Sequence, residues 1–375
     1  MLKLRRAKAA CAKALASQGR KKMPKGRRPH TVLCANRRAG WRFEQWSELD
    51  QWSLEAGIRT YALSEIEELD PVIANFDDET LLLLIYGGDG TLLQILNSLL
   101  RRKRRKGKPK PKMPIIVPVG GGTMKRLPRW ALWNGTPAEN AMVALELFEG
   151  KRLPHLPLSL LKVEWGRQCY FAVTFMAGAT VRIMQEYSRF RTTPAIAGLF
   201  SAGALAAAAF DRPKFFTRLY GQIRAKVTSD GEVLQGERFI VVIRDILEEL
   251  IFSIRPYKGT CAPGQSFSLA YAIDYHEVAR KFPWIVTGAV PDNDPRYFNR
   301  PASLTIIEPL EELPLTLDGE YFTAKPGETI RISQGPEVKV AVNPFYHLTF
   351  LRRIMSQGGR LKEVASYVLP TLKKG

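Results

Sequence analysis

Apolar and polar positions along the chain follow two different periods, and the change divides the sequence. The run "LLLLIY" (81–86) is apolar throughout, as expected of a central strand covered on both faces. In "TLLQILNSLL", directly after it, Leu92, Ile95, Leu96 and Leu99 recur at helical spacing and give a helix one apolar face. The same alternation precedes and follows. "HTVLCAN" (30–36) predicts a first strand, residues 43–56 a helix and "RTYALS" a second strand. "MPIIVPV" (113–119) predicts another buried strand, and "TPAENAMVALELFEG" (136–150) a capped helix closed by Gly150. Strand and helix in turn over residues 30–155 predict an α/β domain on a parallel, doubly wound sheet.

From "LPLSLLKVEW" (156–165) onward, short strand patterns separated by turn residues dominate. They include "CYFAVTFMA", "GQIRAKVTSDGEVLQGERFIVVI", "SFSLAYAI", "SLTIIEP", "LPLTLDGEYF", "TIRISQ" and "VKVAV". Residues 156–345 therefore predict a β-rich antiparallel sandwich, interrupted by a helical segment at about 183–210. Residues 346–375 form a C-terminal tail that reads as helical, and residues 1–29 a basic arm. The most apolar run, "PAIAGLFSAGALAAAAF" (194–210), falls short of the ~18 to 20 residues of a membrane span and reads as a packed helix, with a dip into a bilayer surface as the second reading.

The composition, with 45% hydrophobic residues, excludes wholesale disorder. Cys11, Cys34, Cys169 and Cys261 form no C-x-x-C pair, and His30, His155, His276 and His347 are equally scattered, so neither a zinc site nor a disulfide framework is indicated. A reducing, cytoplasmic setting fits. The net charge of +20 sits in two appendages: residues 1–30 hold eleven Lys/Arg and no acid, and "RRKRRKGKPKPK" (101–112) holds nine and no acid. Outside them, 36 basic residues face 36 acidic ones. Such a separation predicts an anionic partner. An anionic membrane surface is favoured, with Arg101, Arg102, Lys103, Arg104, Arg105 and Lys106 as the contact. Nucleic acid ranks below it, because neither tract interleaves aromatics for base stacking. Residues 1–28 also have the Arg- and Ala-rich, acid-free composition of a mitochondrial presequence, although they hold only one serine and no clear apolar stripe.

The candidate chemistry lies in two glycine loops. "GGDGT" (87–91) joins a buried strand to a helix, and "GGGT" (120–123) closes the next strand. Backbone N–H groups at such turns hold phosphate, and two loops on one carboxyl edge suggest a single nucleotide. Neither is a Walker loop, a dinucleotide fingerprint or part of a protein-kinase signature. Thr91 followed by Gln94 also predicts a capping box that starts the helix. Asp89 is unexpected there, because a carboxylate beside triphosphate is repelled unless a cation or a proton lies between them. The helix start is expected to lower its pKa and leave a weak base.

"YGGDGTLLQILNSL" resembles the G-G-D-G-T nucleotide loop of the diacylglycerol kinase catalytic-domain family, shared with sphingosine, ceramide and bacterial lipid kinases. "GTMKRLPR" (122–129) is similar, without gaps, to the family's G-T-x-N-D-f-A-R motif. "LDGE" (317–320) is similar to its late D-G-E triplet, and "ANRRAG" (35–40) to its opening N-P-x-S-G. Lys125 and Arg126 depart from the motif's Asn-Asp, Gln94 replaces a usual Glu, and "CAPGQSFSLAYAI" (261–273) holds no acid where the bacterial members carry D-D-G and a structural cation.

The resemblance implies an α/β nucleotide domain followed by a β-rich domain, ATP and Mg²⁺ as cofactors, and transfer of the γ-phosphate to a lipid hydroxyl. It assigns Asp89 and Glu320 as catalytic. It assigns Asn36, Gly87, Gly88, Asp89, Gly90, Thr91, Gly122, Thr123, Lys125 and Asp318 to the nucleotide, and it leaves the metal ligands unassigned. Lys125 and Arg126 can grip phosphate directly in place of the missing Asn-Asp. A "DGE" also occurs at 230–232, where Asp-Gly is ordinary turn chemistry. Two alternatives stay open: a soluble nucleotide kinase similar to NAD kinase, which shares the loop, and a degenerate lipid- or nucleic-acid-binding protein of the same fold.

Overall fold

The computed structural model of the chain describes residues 30–346, apart from 37–42, 64–68, 75, 77–79, 103–111, 123–124, 191–219, 251–253 and 292. The basic arm, most of the second tract, the Ala-rich run at 194–210 and the tail beyond 346 lie outside them.

Four strands, β1 (Thr31–Asn36), β2 (Arg59–Leu63), β3 (Leu82–Gly87) and β4 (Ile115–Gly121), pair in parallel in the order β2-β1-β3-β4. Leu82 to Tyr86 are all buried, as a strand covered on both faces requires. Each such Leu or Ile contributes on the order of 1.5–3 kcal/mol. The crossovers contain the helices Phe43–Glu55, Leu69–Ala74 and Asp89–Arg101. The chain first steps from β1 to β2 and then back past β1 to β3, so right-handed crossovers put the first helix on one face and the other two on the opposite one. The helix Pro137–Glu149 packs against the first, and its Thr136/Glu139 capping box and Gly150 closure match the sequence pattern. The order reverses between β1 and β3, which is where ligands of open parallel sheets bind.

The later strands are β5 (His155–Trp165), β6 (Gln168–Ala172), β7 (Thr174–Gly178), β8 (Ile223–Ser229), β9 (Glu232–Val233), β10 (Arg238–Phe239), β11 (Val241–Asp245), β12 (Phe267–Tyr271), β13 (Tyr297–Asn299), β14 (Thr305–Pro309), β15 (Leu313–Leu317), β16 (Glu320–Ala324) and β17 (Ile330–Ala341). Six of them form a separate antiparallel sheet, β13-β12-β11-β7-β15-β16. The rest extend the first sheet: β17 pairs antiparallel with β5 and β14 and, at Val340, parallel with β4. The first sheet thus continues across residue 155. "CYFAVTFMA", which reads as one strand, changes sheets at Val173, its first half pairing with β5 and its second with β11 and β15. Leu161, Val163, Val227, Ile307 and Ile332 of the first sheet share one core with Phe175, Ala177, Val242, Leu315 and Leu317 of the second. The architecture is an α/β domain followed by β-rich structure.

The interrupting helix, Ala179–Phe190, begins before the expected residue 183. A second helix not foreseen in the β-rich region, Tyr275–Thr287, is capped by Asp274, whose side chain accepts the Glu277 N–H, and ends on left-handed Gly288. Among the described residues, no helix is long and apolar enough to cross a membrane.

Candidate functional site

Both glycine loops leave the carboxyl ends of neighbouring strands, β3 and β4, and they touch through backbone. The Gly122 N–H donates to the Gly87 carbonyl at 3.1 Å. A Cβ on Gly122 would lie 2.4 Å from Gly88 Cα, so only glycine permits this approach. Gly121 has φ +125°, a left-handed value that side chains avoid. Thr123 lies outside the described residues. The expected capping box is absent: the helix starts at Asp89, extended Gly88 caps it with no side-chain bond, and Thr91 sits inside the first turn. Two glycines let the chain turn into the helix sooner than a threonine cap would, leaving first-turn N–H groups for an anion. The Thr91 hydroxyl instead accepts from Asn36 Nδ2 at 3.0 Å, tying the end of β1 to the loop after β3 across the switch point.

Three carboxylates converge on this edge. Asp89 accepts the backbone N–H groups of Arg126 and Leu127. Asp318 sits in the β15–β16 hairpin turn at φ +48° and accepts the N–H groups of Val173 and Thr174, both at 2.8 Å. The turn carries Glu320 to the glycine loop, where its Oε1 lies 2.3 Å from where a Cβ on Gly90 would stand. The other triplet makes the same turn, with Asp230 at φ +48°, but Asp230 accepts the N–H groups of Ser303 and Leu304, and exposed Glu232 pairs with Arg300. Local chemistry is identical in the two. Only the late one meets the phosphate loops.

Burial raises the pKa of Asp89, opposed by the charge of Arg126, the two N–H groups and the charge of Arg129. The expected lowering by the helix start is therefore corrected, because desolvation of the carboxylate outweighs those donors and cations. Burial likewise raises Glu320. Asp318 is pushed up to about 8 by burial, which its two N–H donors oppose and the nearby Asp89 charge reinforces.

Arg126 does not reach outward to phosphate, as the sequence suggested it can. Its Nη2 donates to Asp245 Oδ2 at 2.6 Å and to the Glu249 carbonyl at 2.8 Å, and its Nη1 donates to Thr174 Oγ1. A buried acid captures the guanidinium because neither charge has water to fall back on. Lys125, left-handed at φ +50°, keeps its ammonium within 3.9 Å of where a Cβ on Gly120 would stand, beside the second loop. Sequence reasoning missed Asp245, Thr174 and Tyr257, whose hydroxyl donates to Asp245 Oδ2 at 3.1 Å. A lone acid in the apolar strand "FIVVIRDIL" was the available signal, since a buried charge needs a partner.

Further polar side chains near the site make contacts within the fold. Asn97 joins the glycine-loop helix to β6, donating to the Phe171 carbonyl at 2.8 Å and accepting its N–H at 2.9 Å. Arg101 donates to the Cys169 carbonyl at 2.6 Å and lies over the Tyr170 ring, while Arg102 donates to the Phe76 carbonyl at 2.5 Å. Lys103, Arg104, Arg105 and Lys106 lie outside the described residues. In 261–273, Ser266 Oγ accepts from Nε of the buried Arg244 at 3.0 Å.

Among the described residues, no cluster of three or more His, Cys, Asp or Glu could hold a metal ion. Asp89 and Asp318 already accept two N–H bonds each. Their remaining lone pairs fit a Mg²⁺ that arrives with phosphate oxygens and waters of its own, which usually needs only one or two carboxylates. They do not fit an ion caged by protein alone.

The fold recurs in solved structures. A diacylglycerol kinase from Bacillus anthracis superposes with a TM-score of 0.56 at 15% identity, over 84% of this chain and 97% of that one. The chain has the diacylglycerol kinase fold. A candidate diacylglycerol kinase from the same organism superposes with a TM-score of 0.59 at 17% identity, over 84% of this chain and 98% of that one. No protein-family model and no curated protein sequence matches. In this chain the α/β part carries both glycine loops and the β-rich part carries the late hairpin.

Proposed function

We propose that the protein is a kinase that transfers the γ-phosphate of ATP to a lipid hydroxyl at a membrane surface. The observation that carries this reading is the meeting of Glu320 with Gly90: a second carboxylate, from a distant hairpin, is delivered to a loop built for phosphate. In this reading the backbone of 87–91 and 120–122 and the Lys125 ammonium hold the phosphates. Glu320 or Asp89 accepts the proton of the acceptor hydroxyl and orients it, which supplies much of the benefit in a loose transition state. Asp89 and Asp318 would hold a Mg²⁺ brought with ATP, which would supply charge neutralisation for the phosphoryl oxygens. The tract beyond Arg102 holds the protein at anionic lipid.

A second reading has its own support. Arg126 spends its charge on Asp245 where the resembling motif carries an acid, as a degenerate binding protein of this fold permits. The deciding experiment offers radiolabelled ATP with diacylglycerol, ceramide, sphingosine and NAD, using Asp89→Asn as the control. Label on a lipid, reduced by about two orders of magnitude or more in the variant, supports the kinase. Label on NAD alone would indicate a soluble nucleotide kinase, and no label from folded protein would indicate the degenerate reading.

A further inference from the structure

Arg126 is placed unusually for an active-site cation. Its backbone N–H donates to the Asp89 carboxylate, while its guanidinium donates to the hydroxyl of Thr174, whose own N–H donates to Asp318 Oδ1. One residue thus stands between the acid of the phosphate loop and the acid of the late hairpin. Asp245 fixes it there and is itself fixed by the Leu247 N–H at 2.9 Å and the Tyr257 hydroxyl at 3.1 Å. The Asp245 side chain is wholly buried and that of Arg126 is 8% exposed, so this pair is shielded from solvent. Strand order makes the placement obligatory: Asp245 pairs with Thr174 across β11 and β7, and Leu317, next to Asp318, pairs with Phe175 across β7 and β15. Within the Arg126 guanidinium, Nη1 and Nη2 are bonded and the buried Nε has no hydrogen-bond partner among the described residues.

We infer that Arg126 is the built-in cation of this site, a positioning residue whose permanent charge holds Asp89 and Asp318 in place in the nucleotide-free protein, so that they recruit no divalent ion of their own. A guanidinium suits that task because it stays charged at every physiological pH and presents donors in a rigid fork. Its fixed charge also repels a free divalent ion from the same carboxylates. The Arg126 charge pulls the pKa values of Asp89 and Asp318 down against the burial that raises them, and so favours the ionised forms it holds. The inference deepens the phosphotransfer reading. Its test uses neither nucleotide nor lipid, so the two can fail separately.

The test is calorimetric titration of Mg²⁺ into nucleotide-free protein, with the melting temperature followed over the same range. Wild-type protein should show no saturable binding and no shift at millimolar Mg²⁺. Arg126→Asp, which leaves Asp89, Asp245 and Asp318 without that cation, should gain saturable binding, at least about tenfold tighter than any wild-type response, and a melting temperature that rises with Mg²⁺. Arg126→Lys, which keeps the charge, should behave as wild type. If Arg126→Asp does not fold, Arg126→Gln takes its place, because it removes the charge without adding an acid. Saturable Mg²⁺ binding by the wild type would overturn the inference outright. A folded charge-removing variant as indifferent to Mg²⁺ as the wild type would overturn it too.

Discussion

Gly90→Ala separates the fold of the glycine loop from its chemistry. The residue lies in the first turn of a helix with ordinary helical φ, so alanine should favour the helix by up to about 1 kcal/mol. The new Cβ, however, would stand 2.3 Å from Glu320 Oε1, inside the 3.0 Å below which such contacts are essentially never seen. Since the obstacle is the far end of a flexible side chain, the carboxylate retreats and the backbone stays. The retreat is roughly 0.7 Å, from 2.3 Å to beyond 3.0 Å. A displacement near 1 Å at a reacting group reduces turnover by about 10²-fold. The variant should therefore melt at the wild-type temperature or slightly above, bind ATP with little change, and lose about two orders of magnitude in phosphate transfer. Calorimetry and a radiolabel transfer assay with the preferred acceptor measure both. Wild-type turnover in a folded Gly90→Ala protein would show that Glu320 does no work at the position it occupies, and the assignment would fall.

The two "DGE" turns supply an internal control: Glu320→Gln should impair transfer strongly, whereas Glu232→Gln, on an exposed pair with Arg300, should leave it intact, as side-by-side initial rates will show. Asp318, held up to about 8 in the folded state against an ordinary value near 3.8, binds a proton more tightly folded than unfolded. Its contribution to stability is therefore fully present below about pH 4 and is lost as pH rises through about 8. In Asp318→Asn the fall in denaturant midpoint between those pH values should be shallower; an unchanged slope would place the titration elsewhere. Replacing the Lys and Arg of 103–112 by Ser should abolish salt-sensitive binding to anionic liposomes while ATP affinity holds, and binding to nucleic acid but not to liposomes would favour the non-kinase reading.

The hydrophobic pattern determined the α/β strands almost to the residue, because a strand buried on both faces and a helix with one apolar face leave periods that survive without neighbours. Its turn chemistry was equally local: Asp-Gly at 230–231 and at 318–319 folds the same way in both hairpins. Nothing local distinguishes Glu320 from Glu232, however. One faces Gly90 and the other Arg300 because β16 begins at the phosphate edge and β9 does not, and strand order is a property of long-range pairing. The same reason hid Asp245, which lies 119 residues from Arg126 and meets it only because β11 and β7 are neighbours. It also reversed the expectation for Asp89. A helix start favours a negative charge by its own geometry, but the desolvation that opposes it comes from elements the local sequence does not contain. Sequence supplied the chemical groups and their turns; tertiary pairing decided which groups share a low-dielectric edge, and with that their charge.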